Sequence, residues 1–467
     1  MGMDPQKLRR LTPLITADGE RRLASMRQDI HAPKWNSEAG DMLTAPDIDT
    51  LKVFRDKMEN RRTQKPGEGP PNSILAFVRE YRHRSLYFME RTHEGMDLSR
   101  DWALIGLSSR EDIATRPETM IPLDMDLERM VVYRTAGSTG HSLYVPNDPV
   151  AVACYQPMLD FALARHGVAS PAAFGGTACF LVGAQARTVT YPTVLSWWDG
   201  AGFAKINLNP DQWPGDDSAR RYFEKFAPAI LTGDPISFSR LAHSGIETRP
   251  TALVTTAVAM SDGLRKSLSE RFRCPVIDWY SLTETGPIGY ACPVSDGYHV
   301  LAHDIYVEAV DEDGAPVGPG ERGEIAITGG RNPFLPLLRY RTGDWGAMDY
   351  SPCQCGDPAP RITMLEGRRP VMFKRADGSV VNPVDISSAL RPFSIVQTQF
   401  EQGRDLRCRL VIRPHFAGWQ AREEDIRRAI GEVMGDGLSL EVEFDPTLGD
   451  RAEGKVISYK SDFLLED

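Results

Sequence analysis

The sequence predicts an α/β protein: a large layered N-terminal domain with a β-rich subdomain, then a small α+β C-terminal domain. Three observations predict it. Short apolar runs at 178–182, 192–198, 204–208, 229–231 and 252–256 alternate with helical patterns, as strands and helices do in a layered sheet. The 467 residues exceed the roughly 250–300 at which one hydrophobic core stops growing, so at least two domains are expected. From about Gly367 the composition turns basic and glycine-punctuated, and about one hundred residues of this kind suffice for a small domain. The expected division is therefore 1–366 and 367–467.

Taken in order, residues 1 to about 70 are polar and helical and end in the breaker-rich KPGEGPPN. Residues 73–87 carry Ile74, Leu75, Phe77, Val78 and Tyr81 at helical spacing. A glycine-rich stretch follows, YRTAGSTGHS at 133–142. Glycine lets backbone approach an anion closely, and N–H groups and hydroxyls can then wrap phosphate oxygens. Val131 and Val132 precede it and 143–145 are apolar, so it links two strands. No Gly-Lys-Ser/Thr closes it as in a Walker A loop, and an ordinary hairpin turn has the same composition. Residues 150–166 read as a helix. Trp197, Trp198, Phe203 and Trp213 could line an aromatic pocket, core packing being the ordinary alternative for each.

The strand 276–279 runs into a polar turn with Thr283 and Glu284. A carboxylate at a strand end is well placed to hold Mg²⁺ beside phosphates, although a bare Thr-Glu is equally a helix start. In the β-rich part, 306–310 and Val317 flank the hairpin signal DEDG at 311–314, and 323–328 is another strand. RYRTGDW at 339–345 then puts Asp344 on a Thr-Gly-Asp turn. Such an acid suits ribose hydroxyls, the alternative being a surface β-turn. In the last hundred residues, 371–373, 409–412 and 440–444 read as strands. Residues 425–434 read as a helix with Ile426, Ile430 and Val433 on one face, and Lys455 follows the polar loop 449–454.

Seven cysteines, an odd number in a long chain, argue against a disulfide framework. Cys292 and His299 stand in CPVSDGYH, Cys353 and Cys355 in PCQCGD. Together they make the Cys₃His set of a structural zinc, closed to catalysis because four protein ligands fill it. Cys-x-Cys is tighter than the usual knuckle, His303 is a rival ligand, and two buried thiols beside a surface pair is the plain alternative. Cys154, Cys179, Cys274 and Cys408 read as small core residues. Hydrophobic residues make up 41% and charged residues 25%, ordinary for a globular protein. The net charge of −10 argues against a general binder of nucleic acid or anionic membrane, but leaves room for a small basic pocket. The start, MGMDPQKLRRLTPL, lacks a signal-peptide core and the myristoylation pattern, and no run is long enough to span a bilayer. A cytoplasmic protein is expected, with a homodimer left open.

Five stretches, YRTAGSTG, WYSLTETG, RYRTGD, EGRRPVMFKRADGSVVNP and RAEGKV, resemble in order and rough spacing those of the acyl-adenylate-forming enzymes. The resemblance is closest to the phenylacetate–CoA ligase branch and covers about residues 108–460. It implies a large N-terminal domain binding ATP and a carboxylic acid, and a small mobile C-terminal domain carrying a lysine. By position, Thr135, Ala136, Gly137, Ser138, Thr139 and Gly140 match the phosphate loop. Tyr280 matches the adenine-side tyrosine, Thr283 and Glu284 the phosphate and Mg²⁺ pair, and Asp344 the ribose acid. Arg368 matches the nucleotide-contacting arginine at the junction and Lys455 the adenylation lysine. The implied chemistry is adenylation of an acid, aromatic as judged from the branch, to acyl-AMP and pyrophosphate, then transfer to coenzyme A. The branch often carries cysteines and a histidine at the zinc positions. Three departures stand out: His141-Ser142 where the loop usually ends Lys-Pro, Val258 where relatives often have glutamate, and Pro370 where an acidic hinge residue is common. Proline fixes φ and stiffens that joint. Two rivals follow: an amine or hydroxyl acceptor in place of coenzyme A, and a degenerate zinc-stapled scaffold or binding protein.

Overall fold

The computed structural model describes residues 4–59, 64–65, 67–135, 143–184, 188–256, 260–367, 373–381, 383–390, 392–415, 422–435, 437–448 and 459–463. Helices Pro5–Leu11, Ala17–Gln28 and Ala45–Glu59 come first. The apolar period expected over 73–87 divides into Asn72–Tyr81 and Leu86–Arg91. Ser85 makes the break: its backbone is extended and its buried hydroxyl donates to the Thr119 carbonyl at 2.9 Å. The helix expected over 150–166 is also two, Pro149–Ala153 and Tyr155–Arg165. Pro157 has no N–H to offer the Ala153 carbonyl, so the helical ladder is interrupted there.

Strands β1 (Val131–Thr135) and β2 (Leu143–Asn147) form an antiparallel hairpin closed by the pair Thr135↔Leu143. The next twelve, in chain order, are β3 (Thr177–Gly183), β4 (Tyr191–Leu195), β5 (Ala201–Asn207), β6 (Ile230–Gly233), β7 (Ala252–Thr255), β8 (Val276–Leu282), β9 (Gly286–Ala291), β10 (Tyr298–Val300), β11 (Ile305–Val310), β12 (Arg322–Gly329), β13 (Leu337–Asp349) and β14 (Arg361–Gly367). Among the described residues they form one sheet, ordered β11-β12-β13-β14-β10-β9-β8-β7-β6-β3-β5-β4. From β5 through β3, β6 and β7 to β8 the pairing is parallel, and from β8 to β11 it is antiparallel. The β-rich stretch thus continues the α/β sheet edge to edge through β8.

Parallel strands buried on both faces should be apolar at every position, and β7 (ALVT) is buried throughout. Alternation sorts the side chains. Ile230, Ala252, Val254, Ile277 and Trp279 enter one core with helix Tyr155–Arg165, whereas Leu231, Leu253 and Val276 enter the other with Tyr222 and Phe238. A third core joins the helices of 72–120 to β2 and β13. Trp198 and Trp213 are buried in opposite cores, so the four aromatics do not share one pocket. No helix among the described residues is long and apolar enough to cross a membrane.

The remaining strands are β15 (Phe373–Lys374), β16 (Val380–Val381), β17 (Ile395–Gln402), β18 (Cys408–Pro414), β19 (Leu440–Phe444) and β20 (Tyr459–Ser461). The last four form a sheet ordered β19-β18-β17-β20, and Phe400, Leu410 and Ile412 share a core with Ile426, Ile430 and Met434 of helix Glu423–Met434. This sheet meets the larger one near helix Asp262–Phe272, whose N-cap Ser261 donates its hydroxyl to the Phe393 and Ile395 carbonyls at 3.1 and 3.0 Å. A Cβ on Gly263 would come within 2.4 Å of the Phe393 carbonyl.

One buried ion pair fixes the start of β13. Arg339 has no exposed side-chain surface and adopts φ +46°. Its guanidinium donates to Glu308 on β11 at 3.0 Å, to the Ile105 carbonyl at 2.7 Å and to the Gly314 carbonyl at 2.6 Å. Removing one partner leaves the other charge buried and unpaired. Arg339→Met is therefore expected to destabilise the protein by about 3–5 kcal/mol, read as a fall in melting temperature.

Candidate active site

β13 does not end in a Thr-Gly-Asp turn; it passes through it. Gly343 has φ +77° and the register against β12 shifts here, so 342–344 is a bulge inside a long strand. Thr342 holds it: its hydroxyl donates to the Ile325 carbonyl at 2.8 Å and accepts from the Asp344 N–H at 3.1 Å. Asp344 then accepts from the Tyr280 hydroxyl on β8 at 2.9 Å. Burial, then the adjacent Asp344 charge, pushes the Tyr280 hydroxyl well above its usual range, so it stays a donor. Asp344 also pairs across β14 with Gly367, which places the acid beside the residue just before Arg368.

Thr283 and Glu284 lie in the turn between β8 and β9, so the expected strand-to-turn passage is present and no helix starts there. Thr283 is exposed and Glu284 buried. The Glu284 Oε1 atom accepts from Arg110 at 3.1 Å and from the Tyr340 hydroxyl at 3.2 Å. Among the described residues both contacts fall on one oxygen, so the other could take a cation. Burial raises Tyr340, and the Glu284 and Asp344 charges raise it further, so one hydroxyl senses both acids. Arg110 and Tyr340 are absent from the sequence-derived site. Tyr340 stands inside RYRTGD, but nothing local shows that it reaches Glu284.

Thr135 ends β1, so the glycine-rich stretch leaves and re-enters a hairpin as expected. Ala136, Gly137, Ser138, Thr139 and Gly140 lie outside the described residues, as do His141, Ser142, Val258, Arg368, Pro370 and Lys455.

The Cys₃His set converges. The ligand atoms of Cys292, His299, Cys353 and Cys355 all lie within 4.8 Å of one another. The Cys292 and Cys353 sulfurs are 3.5 Å apart, too far for a disulfide, and the Cys355 sulfur is 3.1 Å from His299 Nε2. Four ligands about 2.0–2.3 Å from a tetrahedral zinc stand roughly 3.3–3.8 Å from one another; the 3.5 Å pair falls in that range and the 3.1 Å pair just below it. His299 Nδ1 is 3.0 Å from the Ala359 carbonyl, which can only accept. The proton is therefore on Nδ1, and Nε2 turns its lone pair to the thiols, the usual support for a metal-binding histidine. Backbone N–H groups of Ser295 and Asp357 point at the Cys292 and Cys355 sulfurs at 3.3 and 3.4 Å. Hydrogen bonds of this kind, with Ser295 and the neighbouring thiols, pull Cys353 down against the effect of burial. His303 is elsewhere, against the Lys57 carbonyl and the Phe54 ring, so it is no rival. Cys154, Cys179, Cys274 and Cys408 are buried as expected. The cluster links the ends of β9 and β10 to the β13–β14 connection, with the length of β9 between it and Glu284.

No protein-family profile matches the chain. The phenylacetate–coenzyme A ligase of Thermus thermophilus is 28% identical over 156 residues, 31% of this chain and 35% of that one. Protein CapK of Staphylococcus aureus is 21% identical over 287 residues, 59% of this chain and 61% of that one. The Escherichia coli phenylacetate–coenzyme A ligase is 34% identical over 88 residues, 18% of this chain and 20% of that one. The chain thus matches less than two thirds of each relative's length. Among solved structures, 2-hydroxyisobutyryl-CoA ligase in its postadenylation state superposes with TM-score 0.64 at 18% identity, over 86% of this chain and 92% of that one. An anthranilate CoA ligase bound to anthranoyl-AMP gives 0.50 at 17% identity, over 78% and 70%. The likeness to these structures is one of fold.

Proposed function

We infer that this chain is an AMP-forming acid–thiol ligase of the acyl-adenylate-forming superfamily, in its phenylacetate–CoA ligase-like branch. It joins a carboxylic acid, of aromatic type such as an arylacetate or substituted benzoate, to AMP, then passes the acyl group to coenzyme A. The observation that supports this most is that β13 carries both Tyr340, bonded to Glu284 in the turn after β8, and Asp344, bonded to Tyr280 on β8. In the first step a carboxylate oxygen attacks the α-phosphorus of ATP and pyrophosphate leaves. Carboxylates are poor nucleophiles, so the chain must act by positioning and charge neutralisation. Thr135 to Gly140 enclose the β- and γ-phosphates, with Thr283 beside them. Asp344, oriented by Tyr280, accepts from the ribose hydroxyls, and Arg368 contacts the nucleotide from the junction. Lys455 bridges the acid and the α-phosphate. Mg²⁺, held by the open oxygen of Glu284, would neutralise phosphate charge. In the second step the thiol of coenzyme A attacks the acyl carbonyl and AMP leaves. Zinc on Cys292, His299, Cys353 and Cys355 would be structural, since four protein ligands close the site.

On this reading 1–366 bind ATP and acid and 367–467 form a mobile unit. Asp344→Ala is expected to raise the KM for ATP about tenfold or more and to change that for the acid little, since one charge-assisted contact to ribose is worth about 1.5–3 kcal/mol. Steady-state kinetics with each substrate varied will check this. Pro370 favours a second reading, in which acyl-AMP persists and an amine or hydroxyl intercepts it. Single-turnover measurement of acyl-AMP formation and of its discharge by coenzyme A tests the proposal. Rapid discharge supports the thiol ligase, and adenylate that survives saturating coenzyme A supports the other acceptor.

A further inference from the structure

Lys205 is a charged residue of the large sheet that the chemistry above does not use. It lies on β5, where Ala201 and Phe203 already face the core under helix Tyr155–Arg165. Two residues further on, Lys205 faces the same side, near the carboxyl end of its strand. Ligands of α/β sheets bind outside those ends. The side chain is half-buried, and burial alone lowers its pKa; no charged group among the described residues acts on it. It makes no ion pair or hydrogen bond with a described residue.

Its surroundings are aromatic and lead back to the reaction centre. Across the strand pair Lys205 stands opposite Tyr191, whose ring is 6.2 Å from that of Phe203. Burial and, after it, Tyr133 push the Tyr191 hydroxyl up to about 12. Burial, then Tyr133, raises Tyr155 in the same way, with Glu284 adding to it and Arg331 and the Ser281 hydroxyl opposing it. A Cβ on Gly286, two residues after Glu284, would lie 3.6 Å from the Tyr155 ring. Lys205 thus lies on the sheet face under the helix whose first residue, Tyr155, borders the turn that carries Glu284. Tyr133 keeps 41% of its surface exposed, and burial raises its hydroxyl.

We propose that Lys205 closes the far end of the acyl pocket and selects acids that carry a second anionic group, a carboxylate remote from the one that is adenylated. This rests on the ligase reading. A partly desolvated ammonium with no counter-ion among the described residues gains most from a ligand that brings one, and a site built for that pairing rejects the analogue that lacks it. A lysine that only snorkels to solvent would discriminate nothing.

The test pairs benzoate and phenylacetate with terephthalate and para-carboxyphenylacetate, in wild type, Lys205→Met and Lys205→Arg. Two readouts are used: pyrophosphate release with ATP, and the resonance of isotopically methylated Lys205 without ATP. In wild type a carboxylated acid should exceed its parent in kcat/KM by about 10–100-fold and shift the Lys205 resonance. Lys205→Met should reverse the preference and Lys205→Arg should largely keep it. Equal use of both acids, or a preference unchanged in Lys205→Met, overturns the proposal and leaves the ligase reading standing. A Lys205 resonance that moves with the dicarboxylate while no pyrophosphate is released supports the anion site and overturns the ligase reading. Neither shift nor pyrophosphate overturns both.

Discussion

Lys455→Ala is expected to lower the rate of acyl-adenylate formation about 10²–10³-fold, with ATP binding and melting temperature little changed. As the acid attacks, negative charge gathers on the α-phosphate and the acid's oxygen loses its own. A fixed ammonium at that point is worth more in the transition state than in the ground state, so its loss appears in kcat. On the proposed function Arg368 and Asp344 would bind the nucleotide before and after the step, so their loss should appear mainly in KM. Rapid-quench measurement of acyl-AMP, with nucleotide affinity determined separately, checks the division. Formation of acyl-AMP at the wild-type rate in the mutant would refute the assignment of Lys455.

Protein purified without chelators is expected to carry about one zinc per chain by elemental analysis, and removing it to lower the melting temperature on the order of 10 °C. The His299 tautomer is set by the Ala359 carbonyl, and the N–H groups of Ser295 and Asp357 are already aimed at the sulfurs. The ligands are therefore preorganised, and binding energy passes into the folded state. Cys355→Ser should behave like the stripped protein. Because the cluster ties β9 and β10 to the β13–β14 connection, its loss should also loosen the strands that hold Glu284 and Asp344. Adenylation should then fall on warming before the remainder melts. Absence of zinc from freshly purified protein would rule the metal out.

The strand-helix alternation was legible because it is local: an apolar run of four to seven residues reads the same whatever it pairs with. The break at Ser85 was not, since a buried hydroxyl reaching Thr119 lies outside any periodicity, whereas Pro157, inside the expected helix 150–166, was a legible breaker. Glu284 and Asp344 could be found from their motifs, but Arg110 and Tyr340, which orient Glu284, could not, because those contacts cross the fold. Spacing alone left His299 and His303 as rival ligands; β10 decides by pairing with β14 and turning His299 to the thiols. Lys205 gave no signal, since a lysine within AGFAKIN reads as any exposed strand residue.

Acid-dependent exchange of labelled pyrophosphate into ATP tests the central claim most directly. It needs no acyl acceptor and reports the first step alone. The account predicts exchange that requires Mg²⁺ and a carboxylic acid, is strongest among aromatic acids, and disappears in Lys455→Ala. Exchange that proceeds equally without any acid, or that survives in Lys455→Ala, would contradict it.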